Sequence, residues 1–378
     1  MNDKNIPKKI LYWYDNNKRF LPWRKKVSKE KREYYTLVSE FMLQQTQVKT
    51  VIPYFLNFIN KIPNINSLAK VKNETLMRYW EGLGYYSRAR NLKNTAIKIL
   101  KEYKGRLPNG IEELKTRIIK NLEDLLYMID WNESCGIKVF RLSSEMFMHK
   151  TNPKVPDYDY DFAIPLLKSI GQKARDYNHR LTFHPGQFNV LGTPRAKVLK
   201  QTILDLQYHA DVLDLMEMGK DSVMVIHGGG VYGDMVATKE RWIKNYNDLP
   251  ENVKNRLVLE NCEKSYSIID CLEISDRCGV PVVFDTHHFE CYKKLHPDEI
   301  FEEVGYYIPL ILETWKRKGI KPKFHVSEQG DGKIGKHSDY IEILPEYLLE
   351  IPEKYGVHID IMIEAKMKEL SIEKLYEK

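Results

Sequence analysis

The sequence predicts an α/β protein: a TIM-like (β/α) barrel preceded by an all-α segment. Three observations predict it. In the second half of the 378-residue chain, six short β-branched or aromatic runs end on His184, His227, Glu260, Asp285, His325 and Glu364. These residues lie 43, 33, 25, 40 and 39 positions apart, room for one helix and two loops between successive parallel strands. The first third instead carries apolar residues at three-to-four spacing, the helical period.

Taken in order, helices are expected at Lys8–Asn17, Tyr34–Gln45, Thr50–Asn60, Asn73–Glu81 and Ser87–Tyr103, broken by Pro22, Pro53, Pro63, Gly82 and Gly84. The pattern changes at Arg117, which divides the chain into a helical segment, 1–116, and a barrel, 117–378. Strands are expected at 137–144, 180–185, 222–227, 256–261, 281–286, 321–326 and 359–364, bounded by Pro, Gly or charge. Polar residues at the strand C-termini place an active site on the top face of such a barrel.

The formal charge of +7 conceals an asymmetry. Residues 1–116 hold 24 Lys/Arg against 10 Asp/Glu, a net of +14, and the remainder nets −7. A basic segment favours a polyanion, with DNA the first candidate, and the plain alternative is a solvated Lys-rich surface. An acidic barrel suits a site that collects divalent cations. Trp23-Arg24 and Tyr85-Tyr86-Ser87-Arg88-Ala89-Arg90 interleave aromatics with bases, a pattern that can stack nucleobases and hold phosphate or can equally be core packing with a charged rim. Trp13 and Trp80 read as core. The five cysteines form no CxxC pair, a spacing that suggests neither a zinc ribbon nor an iron–sulfur cluster, and their odd number fits a reducing compartment. No 18-residue apolar run and no signal-peptide core occur, so a soluble intracellular protein without membrane contact, monomeric by default, is expected.

Several words in the first segment carry a resemblance. Leu21-Pro22-Trp23-Arg24, Ser39-Glu40-Phe41-Met42-Leu43-Gln44-Gln45-Thr46, Val51-Ile52-Pro53-Tyr54 and Glu81-Gly82-Leu83-Gly84-Tyr85 resemble A/G-specific adenine DNA glycosylases over residues 8–116. The resemblance implies that Glu40 stands where the family's acid protonates adenine, and Gln45 and Tyr85 where residues enter the duplex. The family's helix–hairpin–helix and the Asp that stabilises its cationic transition state do not follow here. A developing cation without that carboxylate loses its main electrostatic support. Glu40 is therefore expected to be vestigial, and the segment to be a truncated DNA-binding arm.

Beyond Arg117 the chain resembles the UV damage endonuclease family. Phe140-Arg141-Leu142-Ser143-Ser144-Glu145, Phe183-His184-Pro185-Gly186-Gln187-Phe188, Ile226-His227-Gly228-Gly229, Leu259-Glu260-Asn261, Phe284-Asp285-Thr286-His287-His288, Lys323-Phe324-His325-Val326-Ser327, His337-Ser338-Asp339 and Ile363-Glu364-Ala365-Lys366 carry the likeness in order. It implies metal ligands at His184, His227, Glu260, Asp285, His288, His325, His337 and Glu364, with His149 the candidate for one further ligand. It implies catalytic roles for Glu260, Lys323 and Glu364, Lys323 being where the family carries a lysine that can be modified to a carboxylate. It also implies that Gln187 and Phe188 wedge into DNA at the lesion. The family opens with a strand of the Arg-Leu-Gly-Tyr type, and none precedes Arg117, so the barrel is expected to lack its first strand.

The residue types agree. Imidazole with carboxylate suits Mn²⁺, Zn²⁺ or Fe²⁺, and two or three such ions clamp both in-line oxygens of a phosphodiester. A lone His is more often structural than ligating, and His179, His209, His287, His296 and His358 are assigned to packing or solvent. Six strand-end coincidences favour metal. The expected cofactor is two or three divalent ions, Mn²⁺ first, and the expected partner is lesion-bearing duplex DNA. Two alternatives stay open: a sugar-isomerase-like metalloenzyme on the same barrel, and a non-catalytic DNA-binding fusion remnant.

Overall fold

The structure is a computed structural model that describes residues 21–44, 46–105, 111–153, 155 and 157–377. The expected helix Lys8–Asn17, Trp13 and Gln45 lie outside these residues. The chain forms two compact units, residues 1–110 and 111–378.

In the first unit a 3₁₀ turn at Pro22–Arg24 precedes five helices: α1 (Lys29–Leu43), α2 (Val48–Lys61), α3 (Ile65–Lys70), α4 (Asn73–Trp80) and α5 (Ser87–Tyr103). Ser28 and Asn64 cap α1 and α3, each side chain accepting the backbone N–H three residues on. Pro53 does not break a helix as expected; it sits inside α2, where it removes one backbone donor. The six-residue α3 is too short to show a helical period in the sequence. Trp23 packs edge-on against Phe55 at 5.2 Å and Phe58 against Trp80 at 6.1 Å, all four buried.

Of the two readings of the basic run, Arg88 takes the packing one. Its guanidinium is buried and donates to the carbonyls of Met42 and Leu83, both at 3.0 Å. It thereby satisfies a carbonyl left over at the end of α1 and another in the turn before α5, and is withdrawn from phosphate. Tyr85 and Tyr86 remain exposed.

The second unit opens with α6 (Ile111–Ser134), a continuous helix that runs through the expected boundary at 116/117. There follow β1 (Val139–Arg141), α7 (Ile164–Asp176), β2 (Arg180–Thr182), α8 (Ala196–Leu215), β3 (Met224–His227), α9 (Met235–Asn247) and α10 (Glu251–Arg256). The chain continues with β4 (Leu257–Glu260), α11 (Ile268–Cys278), β5 (Val282–Asp285), α12 (Thr286–Leu295), α13 (Val304–Lys318) and β6 (Lys323–Val326). It closes with α14 (Glu346–Leu349), α15 (Ile351–Tyr355), β7 (Asp360–Ile363) and α16 (Glu369–Tyr376).

Each strand falls inside its expected range, and neighbours pair parallel in chain order. A single bridge, Phe183 to Met224, joins the β1–β2 pair to the five strands β3–β7. Register sets the site: His227 lies opposite Glu260, and Asp285 opposite His325. The strand-end side chains therefore share one level. Among the described residues no ladder joins β1 to β7. An Arg141–Glu364 ion pair bridges the seam at its top.

Candidate metal centre and nucleic-acid contacts

Glu260, at the end of β4, is fully buried, and imidazoles surround it. His184 Nε2 lies 2.9 Å from Oε2, and His325 Nδ1 lies 2.6 Å from Oε1. His227 Nε2 is 3.6 Å and His288 Nδ1 3.9 Å from the same carboxylate. Two groups of donor atoms, each within 4.8 Å of one another, emerge: His184, His227 and Glu260, and Glu260, Asp285, His325 and Glu364. Two groups sharing one carboxylate form the arrangement that a pair of bridged divalent ions needs. The donors are imidazole nitrogens and carboxylate oxygens, a set that fits borderline divalent metals.

His288 and His337 stand at the rim of this cluster. The His288 backbone N–H donates to Asp285 Oδ1 at 2.7 Å, and its Nδ1 lies 3.1 Å from the Asn261 carbonyl. His337, on the loop after β6, places Nδ1 3.9 Å from Glu364 Oε2, with its ring centroid 6.1 Å from that of His288. His149 joins neither group. It sits exposed at φ 61° and lines a cavity of about 300 Å³ beside Phe188. It lies in a turn after β1, away from the strand ends where most of the other candidates lie.

The electrostatics follow from burial and crowding. Burial alone would raise the Glu260 carboxyl, but the charges of His325 and His227 and the hydrogen bonds from His184 and His325 outweigh it and hold it well below the usual range. Glu364 behaves alike: burial opposes, and Arg141 and His325 prevail. Burial raises Asp285, with Glu260 and Glu364 adding to the effect against His288. Burial lowers the His227 imidazole to about 4, helped by His184 and His288. Burial would lower His288 too, but Asp285, Glu260 and Glu364 raise it to about 9.

Lys323 is fully buried below the cluster, with Nζ 3.3 Å from Thr182 Oγ1. Burial, then the charges of Arg141 and Arg180, push its amine well below the usual lysine range. Three residues not anticipated as functional support the candidate ligands. Asn261 exchanges hydrogen bonds with the Asp285 backbone at 2.8 and 3.1 Å, and Ser327 Oγ lies 3.2 Å from Asp285 Oδ2. Arg141 pairs with Glu364. Asn261 and Ser327 could have been found one and two positions after the ligands Glu260 and His325. Nothing in the sequence links Arg141 to Glu364.

The nucleic-acid candidates are on the surface. Phe188 is 60% and Tyr85 63% exposed, Gln187 and Glu40 are exposed, and Gln45 lies outside the described residues.

Comparison with known proteins adds four likenesses. Residues 82–378 match the family model described as UV-endonuclease UvdE. That match begins ahead of the expected boundary at 117 and takes in Leu83-Gly84-Tyr85, which the structure holds in a turn of the first unit. A provisionally named UV-damage endonuclease of Acanthamoeba polyphaga mimivirus is 40% identical over 314 residues, 80% of this chain and 92% of the relative. A UV-damage endonuclease of Schizosaccharomyces pombe is 36% identical over 277 residues, and there the alignment spans 70% of this chain and 44% of the longer yeast protein. Among solved structures, the crystal structure of SacUVDE superposes with a TM-score of 0.61 at 31% identity, covering 71% of this chain and 90% of that one.

Proposed function

The chain belongs to the UV-endonuclease UvdE family, and we propose that it hydrolyses the phosphodiester 5′ to ultraviolet photoproducts and other distorting lesions in duplex DNA, leaving a 3′-hydroxyl. The observation that carries the reading is the buried carboxylate of Glu260 shared by two donor groups at the strand C-termini. The family match decides against the sugar-isomerase alternative.

Bound divalent ions, Mn²⁺ first among candidates, would supply a deprotonated water and offset charge on the scissile phosphate. His184, His227, Glu260, Asp285, His288, His325, His337 and Glu364 would hold them, Glu260 being common to both donor groups. Ser327 holds the carboxylate of Asp285, and Asn261 anchors its backbone. The neutral amine that burial favours at Lys323 can add carbon dioxide, releasing a proton and leaving a carbamate that turns the lysine into a further ligand. Gln187 and Phe188 would occupy the gap at the lesion, since an apolar ring fills an opened base step. The seam between β1 and β7 supports an open barrel without a first strand. We read the basic helical unit as a DNA-binding arm without glycosylase activity.

Nicking of irradiated plasmid tests the function. The purified protein with Mn²⁺ nicks irradiated but not intact supercoiled DNA, chelation stops it, and Glu260→Gln abolishes nicking while duplex affinity stays within about twofold. Nicking by Glu260→Gln at saturating Mn²⁺ would overturn the assignment.

A further inference from the structure

We propose that Asp205 is a positioning residue for damage recognition, locking through Asn189 the turn that presents Gln187 and Phe188. The inference rests on the wedge reading above and goes beyond it by naming what keeps the wedge in place.

Asp205 lies on α8 and is almost fully buried. One carboxylate oxygen accepts from Asn189 Nδ2 at 2.8 Å and the other from Thr151 Oγ1 at 3.0 Å. The same Asn189 amide donates to the Gly186 carbonyl at 3.0 Å, and the Asn189 backbone N–H reaches that carbonyl at 3.0 Å. The turn 186–189 is thus closed twice on itself and tied at its end to a helix. The next residue is tied as well, Val190 N–H donating to Thr202 Oγ1 on α8 at 3.2 Å.

The ring of Phe188 rests on the glycine at the start of this turn. A Cβ at Gly186 would meet the ring at 2.5 Å, so only glycine lets the aromatic lie there. Phe188 therefore projects from a closed turn and needs no buried contact of its own to hold it out.

A buried carboxylate is costly unless satisfied, and here its donors come from two loops, the one after β1 and the one after β2. Neither donor belongs to the metal cluster. The gain is preorganisation. A loose turn would be ordered only when the wedge enters an opened step, so its entropy cost falls on the damaged complex alone. Binding to intact duplex, held by phosphate contacts, does not require the wedge to insert.

Full-length protein with Asp205→Asn, Asn189→Ala, the double change, or Phe188→Ala is titrated with a duplex bearing one thymine dimer and with the same duplex undamaged. Asp205→Asn and Asn189→Ala each lower the damaged-to-intact affinity ratio about five- to tenfold with intact-duplex affinity unchanged, and the double variant falls no further because the two act as one unit. Asn189→Ala, a change in the turn itself, decides the matter if Asp205→Asn lowers the melting temperature. Should Phe188→Ala reduce the ratio while the Asn189 and Asp205 variants keep it, the positioning role is wrong and the wedge stands. An unchanged ratio in Phe188→Ala removes the wedge and this inference with it. Equal losses on both duplexes reduce Asp205 to a fold-stabilising residue and overturn the proposal.

Discussion

At the scale of the residue, the site is one buried carboxylate ringed by imidazoles, and its proton inventory has a consequence. The acidic neighbours of His288 raise it to about 9, so in the metal-free protein it carries a proton at neutral pH. A metal needs the neutral ring, and binding must expel that proton. A group whose metal-free value lies above ambient pH makes metal affinity rise with pH, up to that value and not beyond. The apparent Mn²⁺ affinity should therefore climb as much as about tenfold per unit between roughly pH 6 and 8, with about one proton released from His288. Calorimetry in buffers of different ionisation heat reads the proton count directly, and a pH-independent affinity would contradict the electrostatics described. Six candidate ligands were legible because each ends a strand-like run. Arg141, Asp205 and Asn189 were not, because their partners lie 223, 54 and 16 positions away along the chain.

At the scale of the element, what the sequence shows least is how closely helices approach. Gly171 lies in α7, and a Cβ there would sit 1.7 Å from the carbonyl oxygen of Met216, just after α8. Backbone cannot give way as a side chain can, so α7 would have to shift. Overpacking of this kind costs about 1–3 kcal/mol. Gly171→Ala should lower the melting temperature by roughly 5–10 °C, followed by circular dichroism. An unchanged melting temperature would mean that the two helices are not in this contact. Strand positions were legible because apolar runs of this length, bounded by Pro, Gly or charge, have few other readings. Short α3 and the interior Pro53 were not, since local propensity yields to packing at such places.

At the scale of the whole molecule, two units of opposite charge balance raise the question of a second activity. Protonation of a base by a general acid contributes about 10²–10⁴-fold, but excision also needs a carboxylate near the sugar. Glu40 is exposed on α1, and the family motif that supplies the other acid does not follow in this chain. No adenine should leave a duplex with an 8-oxoguanine mismatch in a single-turnover assay. Duplex affinity should nonetheless fall steeply with salt, as the +14 charge of residues 1–116 requires. Free adenine that disappears in Glu40→Gln would show a live glycosylase and overturn this part of the reading.

The sequence by itself determined which side chains end strands, and with them the parallel barrel and the donor types of its centre. Periodicity and residue identity are local, and a one-dimensional chain records them in full. Tertiary structure alone decided the rest. Register set Glu260 opposite His227 and Asp285 opposite His325, and so brought separate strand-end side chains into one cluster. Folding withdrew Arg88 from any nucleic-acid surface and spent its charge on the Met42 carbonyl at the end of α1. It also set Asp205 beneath the turn of Phe188. Each of these depends on distances between residues far apart in the chain, which no local pattern contains.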